Sequence, residues 1–203
     1  MILYGAGGHA KVIIDILVAS GEKVNFIFDD DETVKELCGI PVKQFEEGLI
    51  NEEKVIISIG GNEVRKKIAD RFHWSFGTAI HPSAIISQPN HIGPGSVVMH
   101  GAIIQIETSV GKHCIINTGT RIDHDCVIED FVHIAPGAVI CGNVKVGEGT
   151  FIGANTTVIP SVSIGKHCVI GAGSVVLKDV PDHSIIAGNP ATGIRKQNED
   201  GRS

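Results

Sequence analysis

The sequence predicts an α/β plus β-solenoid fold: a small Rossmann-like N-terminal domain followed by a parallel β-helix. Two observations predict it. Isoleucine or valine occupies every sixth position from Ile80 to Val176 without a miss, and a fixed hexapeptide period marks a solenoid of short parallel strands. Ahead of Gly77, apolar runs and amphipathic stretches alternate in strand–helix–strand order, as in a small parallel sheet with helices on its faces. The expected boundaries are 1–77 for the α/β domain, 78–196 for the solenoid, and a polar tail at 197–203.

In the first part, Ile2-Leu3-Tyr4 reads as a buried strand leading into Gly5-Ala6-Gly7-Gly8-His9. A helix is expected from about His9 to Ser20, with Val12, Ile13, Ile16 and Leu17 on one face. Val24 to Phe28 is a second strand, ending in the acids Asp29-Asp30-Asp31. Gly39-Ile40-Pro41-Val42 is assigned to a loop, Lys54 to Ile59 to a third strand, and Asn62 to about Phe72 to a helix behind Gly60-Gly61. The turn Gly5-x-Gly7-x-x-Ala10 between strand and helix can bring backbone N–H groups to a phosphate. The domain is short for NAD, so a redox role ranks below binding of a nucleotide-linked substrate.

In the second part, write each hexad with its Ile or Val first. The fifth residue is small in every hexad except the one holding Asn90, and the second is often glycine, read here as supplying turn conformations. Three hexads make one triangular coil, so residue n lies beside n+18, about 4.8 Å away. His124 then sits next to Gly142, a base beside a bare backbone amide, with Asp123 and Asp125 flanking it. Strand alternation lets only one of these acids reach the ring easily, unless the backbone turns there. A base near neutrality plus a fixed donor suffices for attack of an amine on a thioester, with no cysteine nucleophile.

Bulk properties narrow the options. The 203 residues carry a net charge of −6 and a pI near 5.9 with no basic stripe, which argues against nucleic acid. No apolar run approaches a membrane span, and Met1 to Gly5 does not read as a secretory signal, so a cytoplasmic location is expected. Among the five cysteines there is no CxxC; Cys114, Cys126 and Cys168 fall at fifth positions and read as reduced core fillers.

The hexads over 80–194 and the segment Ile186-Ala187-Gly188-Asn189-Pro190-Ala191 resemble the left-handed β-helix (hexapeptide-repeat) acyltransferases. With its N-terminal domain the chain is similar to their sialic-acid O-acetyltransferase-like branch, above all to bacterial N-acetyltransferases of nucleotide-linked 4-amino sugars. The resemblance implies left-handed winding, acetyl-CoA as co-substrate, no metal, and a homotrimer with active sites between neighbours. In Arg121-Ile122-Asp123-His124-Asp125 it makes His124 the general base and Asp125, or less favourably Asp123, its partner. Gly142 matches the backbone donor to the thioester carbonyl, His133 the histidine at the thioester, and Asn117 a polar group near the sugar amine. Gly7, Gly8 and His9 match groups near the diphosphate, Asp29 and Asp30 groups near the nucleoside, and Gly60, Asn62 and Arg65 the second strand-to-helix turn. Gly153-Ala154 and Gly171-Ala172 match pantetheine contacts, and Pro190 lies near the nucleotide end of CoA.

The function implied is acetylation of the 4-amino group of a UDP- or dTDP-linked deoxy sugar for bacterial glycan synthesis; the alternative is O-acetylation of a sugar such as sialic acid. A serine-type acceptor would leave the N-terminal domain without a purpose. A zinc-dependent, carbonic-anhydrase-like β-helix is disfavoured because no two histidines stand five apart. An ice-binding solenoid is disfavoured by charged outward positions such as Lys145, Glu148, Lys166 and Lys178.

Overall fold

The computed structural model describes residues 1–46, 50 and 53–196; the tail expected at 197–203 lies outside the described residues. The N-terminal unit runs β1 (Ile2–Tyr4), α1 (Gly8–Ala19), β2 (Phe26–Phe28), β3 (Glu36–Leu37), β4 (Ile40–Lys43), β5 (Val55–Ile57) and α2 (Asn62–Arg71). Its sheet has the order β3-β4-β2-β1-β5, parallel except between β3 and β4. The segment assigned to a loop around Ile40 is instead a strand. Cys38 and Gly39, with φ of 53° and 77°, form a two-residue hairpin turn, and Val42 then pairs with Ile27. Leu3, Ile27 and Ile56 face α1. Ile2, Tyr4 and Phe28 face an aromatic cluster in which Phe72 and Trp74 stack at 4.0 Å.

From Ala79 to Val176 the chain forms seventeen two-residue strands arranged on three faces. The first face starts with Ala79–Ile80, the second with Ile85–Ile86 and the third with His91–Ile92. Register is 18 residues throughout, as in Ile103 opposite Arg121 and Ile115 opposite His133. The first-position side chains fill the interior. Cys114, Cys126 and Cys168 are buried there as expected.

Fifth-position hydroxyls and thiols are buried but satisfied. Ser96 and Thr108 donate to the carbonyls of Gly111 and Asp123 on the next coil, at 2.8 and 2.7 Å. From Gly95 to Gly173, the fourth residue of every hexad has positive φ. That corrects the reading of the second-position glycines. None of these has positive φ; they are glycine because the next coil leaves no room, a Cβ on Gly153 falling 2.5 Å from the Ala172 nitrogen.

The N-terminal unit grips the solenoid twice. Ile13, Ile16 and Leu17 of α1 share a buried cluster with Ala79, Val97, Met99 and Ile115 of the first face. Helix α2 lies along the edge between the third and first faces, where Asn62 Nδ2 donates to the Gly149 carbonyl at 2.9 Å and His167 pairs with Glu63 at 3.2 Å.

Arg65 is the centre of this contact, 1% exposed and, among the described residues, without a carboxylate partner. Nε donates to the His113 carbonyl at 2.8 Å, Nη1 to Ile59 and Gly60 at 3.0 and 3.1 Å, and Nη2 to Asn62 Oδ1 and the Phe131 carbonyl at 2.9 and 3.2 Å. Every guanidinium N–H is thereby used. Burial brings its pKa down to about 10, still charged at neutrality.

Arg65→Ala should lower stability by about 3 kcal/mol or more, because it empties a buried site and strands acceptors that nothing else reaches. Urea unfolding followed by Trp74 fluorescence should then precede the loss of far-UV circular dichroism, the solenoid being held by its own interior. A single coincident transition near the wild-type midpoint would show that Arg65 does not clamp the two parts.

His9, His113 and His133 surround this cation, and burial first, then the Arg65 charge, lowers each to about 4. All three are neutral in both states at pH above the ordinary 6.5. As pH falls from 6.5 towards 4, the unfolded chain takes up protons that the folded chain refuses, so stability declines. The midpoint of urea unfolding should fall across this window and decline less in His113→Asn; a flat profile would refute buried neutral imidazoles.

Candidate active site

The edge between the second and third faces carries the turn 123–126, and here the expected neighbours meet. A Cβ built on Gly142 would fall 2.8 Å from both Cε1 and Nε2 of His124, so the imidazole lies over the bare glycine backbone. The Gly142 N–H donates to no acceptor among the described residues. It remains available to a ligand.

Of the two acids, Asp125 takes the ring. Its Oδ2 lies 2.6 Å from His124 Nδ1, whereas Asp123 Oδ1 accepts the His124 backbone N–H at 2.9 Å and stands 4.0 Å from Nε2. The reason is backbone geometry. Asp125 is a fourth-position residue with φ of 58°, so the alternation of an extended strand is broken between the two side chains. With Nδ1–H donating to Asp125, Nε2 is the free basic nitrogen. The Asp125 hydrogen bond, with Asp123 adding to it, raises the His124 pKa above the ordinary value. The ring itself is 55% exposed.

A second polar group lies between the N-terminal unit and the first face. His133 points outward from that face, edge-on to Phe151 at 5.1 Å. Its Nδ1 is 3.3 Å from the Gly60 carbonyl and its Nε2 3.1 Å from Asn117 Nδ2. A neutral ring with hydrogen on Nδ1 satisfies both contacts. Asn117, His133 and Gly60 thus form one chain across the domain boundary, with Phe151 as a neighbour that the n+18 ladder could have indicated.

The remaining expected residues divide by what they already hold. Helix α1 begins at Gly7 and Gly8 with no side-chain cap and no acid in its first turn, and a Cβ on either glycine meets nothing. The Gly7, Gly8 and His9 N–H groups donate to no acceptor among the described residues, which suits an anion there. His9 is largely buried beside them, its Nε2 unpartnered among the described residues. Asp29 is engaged with the turn itself, accepting from the Ala6 and Asp31 backbone N–H groups. Asp30 accepts from Tyr4 Oη at 2.9 Å and, together with burial, pushes that phenol up to about 12.

Asn62 and Arg65 depart from the substrate contact expected of them. Their donors go to the solenoid turns and to β5's end, which makes them clamps between the two parts. Gly153 and Gly171 are demanded by packing, a Cβ on Gly171 falling 2.6 Å from Ala187 Cβ. Ala154 is half-buried, while Ala172 and Pro190 are exposed on the same side of the prism as Asn117 or just beyond its last coil. Burial pushes the Cys114 thiol up to about 12, far from a thiolate at neutral pH.

His124 and the interdomain group are not brought together within one chain. The turn 123–126 joins the second and third faces, while the N-terminal unit covers the first face and the edge between third and first.

The PglD N-terminal domain family matches residues 1–72, and the bacterial transferase hexapeptide family (six repeats) matches residues 143–178. Serine acetyltransferase 2 of Arabidopsis thaliana is 36% identical over 142 residues, which are 68% of this chain and 40% of that protein. The UDP-N-acetylbacillosamine N-acetyltransferase of Bacillus subtilis is 42% identical over 107 residues, covering 48% of this chain and 50% of that one. The chain therefore spans half or less of the length of these curated relatives. The perosamine N-acetyltransferase of Caulobacter crescentus, solved with CoA and GDP-perosamine, is 37% identical, covers 96% of each chain and superposes with a TM-score of 0.90. A solenoid shared with the serine enzyme, an N-terminal domain shared with PglD, and full-length agreement with a nucleotide-sugar enzyme together mean that the chain belongs to the left-handed β-helix family of nucleotide-sugar N-acetyltransferases.

Proposed function

We propose that this protein transfers the acetyl group of acetyl-CoA to the 4-amino group of a nucleotide-linked deoxy amino sugar. The observation that carries this reading is the imidazole of His124, held by Asp125 at 2.6 Å over the unpaired N–H of Gly142. The sugar amine attacks the thioester carbonyl, forming the C–N bond while the carbonyl oxygen becomes an oxyanion. The Gly142 N–H stabilises that oxygen, His124 Nε2 accepts the amine proton, and collapse expels the CoA thiolate, which takes a proton from His124. Asp125 keeps the ring in the tautomer this requires. Gly7, Gly8 and His9 at the start of α1 hold the diphosphate, and Asp29, Asp30 and Gly60 line the nucleoside side.

The same reading makes the protein a homotrimer. Within one chain the base and the nucleotide-binding unit lie on different sides of the prism, so a second copy has to complete the site. The second face supplies a largely apolar surface for this, with Ile85 exposed, Ile103, Val139 and Val175 half-buried, and the exposed Arg121 and half-buried Thr157 between them. Asn117 and His133 of one copy would then face His124 and Gly142 of the next. CoA would run along that groove past Gly153-Ala154 and Gly171-Ala172 towards Pro190. Uridine and thymidine diphosphates are the nucleotides expected, and relatives named for GDP-perosamine and UDP-N-acetylbacillosamine make guanosine a necessary third arm.

Thiol release from acetyl-CoA should be seen with one of the UDP-, dTDP- or GDP-linked 4-amino-4,6-dideoxyhexoses, and not with sialic acid or serine. It should fall by about a hundredfold or more in His124→Ala. Turnover of serine or sialic acid alone would overturn the amino-sugar reading. Because a neutral His124 is the base and Asp125 raises its pKa, the rising limb of kcat against pH should lie above the ordinary imidazole value and move to lower pH in Asp125→Asn. An unmoved limb would remove Asp125 from that role.

Gly142→Ala offers a separate check. Its methyl displaces the exposed ring from the amide, so kcat should drop by about tenfold or more while thermal stability stays within a degree or two. Wild-type kcat in this variant would separate His124 and Gly142 functionally.

A further inference from the structure

Where α1 crosses the first two coils, three donor side chains converge that the reaction does not use. His100 Nε2 lies 2.8 Å from Asp15 Oδ2, and the rings of His81 and His100 stack with centroids 3.7 Å apart. One nitrogen of each ring and one carboxylate oxygen all lie within 4.8 Å of one another. The three come from separate segments: Asp15 from the middle of α1, His81 from the turn after the first strand of the solenoid, His100 from the turn one coil later.

We propose that Asp15, His81 and His100 form a binding site for a divalent cation of the zinc class, which fastens α1 to the solenoid. Two imidazoles and one carboxylate are donors of the hardness that suits zinc and its neighbours, and they suit calcium or magnesium poorly. In a tetrahedral site with bonds of about 2.1 Å, ligand atoms stand about 3.4 Å apart. The three atoms lie within 4.8 Å of one another, and a bound ion would turn the two stacked rings apart to aim one nitrogen of each at it. The Asp15 side chain is 68% exposed, so a fourth position opens to water.

Ser83 holds the His81 ring in place. Its Nδ1 accepts the Ser83 N–H at 3.0 Å and lies 2.7 Å from the Ser83 hydroxyl, which itself accepts the Gly101 N–H at 3.1 Å, so Nε2 is the nitrogen turned away from Ser83. A metal on Nε2 moves the ring proton to Nδ1, which exchanges the Ser83 N–H contact for donation to Ser83 Oγ. Without a metal only His100 and Asp15 are hydrogen-bonded to each other, and His81 meets them by stacking. A divalent cation can join all three. The cation would set α1, and with it the glycine turn at its start, relative to the His100 turn, which is one coil from Asn117.

Metal-free protein carrying His124→Ala and His167→Ala, which removes the histidines of two further exposed histidine–carboxylate groups, would be titrated with Zn²⁺ and Co²⁺ by calorimetry and visible absorption. The expected result is one equivalent bound per chain, Co²⁺ bands of a four-coordinate site, and a raised melting temperature. Adding His81→Ala or His100→Ala should weaken binding by at least about tenfold and abolish the metal-induced thermal shift, each variant being compared with its own metal-free melting curve. Absence of saturable binding, binding that survives both substitutions, or a preference for Mg²⁺ or Ca²⁺ would overturn the proposal.

Discussion

The 18-residue register is the constraint on which everything else rests. Each strand donates to the coil above it, as Val127 N–H does to the Val144 carbonyl at 3.0 Å and Glu129 N–H to Val146 at 2.9 Å. The turns donate the other way, the Asp125 N–H reaching back to the Ile106 carbonyl of the preceding coil at 3.2 Å. A one-residue slip would turn the first-position Ile and Val outward and bring sixth-position residues such as Arg121 and Lys145 into the interior. Once the register holds, the fourth residue of each hexad must take a left-handed conformation, and the stacking of His124 over Gly142 follows. The chemistry of the corner is therefore a consequence of the core.

Joining a separate α/β unit to this rod poses a different physical problem. The solenoid's edges are rows of turn carbonyls, acceptors with no intrinsic partner. Arg65 answers them with a planar fork of donors, reaching turns 18 residues apart at His113 and Phe131. Lysine, a point charge with three donors, could not span the same set. A buried cation balanced only by neutral oxygens excludes a second positive charge nearby. Burial first, and then that charge, holds the imidazoles of His9, His113 and His133 neutral, and His133 serves as a hydrogen-bonding group between Gly60 and Asn117.

How much of this was legible follows from the range of each interaction. The solenoid and the His124–Gly142 pair could be read because both depend on one fixed offset along the chain. The choice of Asp125 over Asp123 could not be read from strand alternation, because the deciding feature is the positive φ at Asp125. The hairpin that makes β4 a strand was hidden because Gly39 and Pro41 look like loop residues, whereas Cys38 and Gly39 alone form the turn. Arg65 was placed with the substrate only because it matches the second strand-to-helix turn of the family that the chain resembles. Its real partners are backbone carbonyls of distant coils, which no local pattern announces.

The exposure of His124 is the last physical clue. An imidazole 55% open to water, with its pKa raised by Asp125, is a competent base but a poor site for acyl transfer. In water an oxyanion gains little from one amide N–H, and a free thioester finds no wall to hold it. The chain does not build that wall itself, since its N-terminal unit lies against the first face and the neighbouring edge. A second copy, seated on the largely apolar second face, would bring the polar chain of Asn117, His133 and Gly60 opposite His124. It would also exclude the water that now surrounds the ring. On this view the separation of base and nucleotide unit within one chain couples activity to assembly, and a dilute monomer would fold correctly yet leave His124 with nothing to act on.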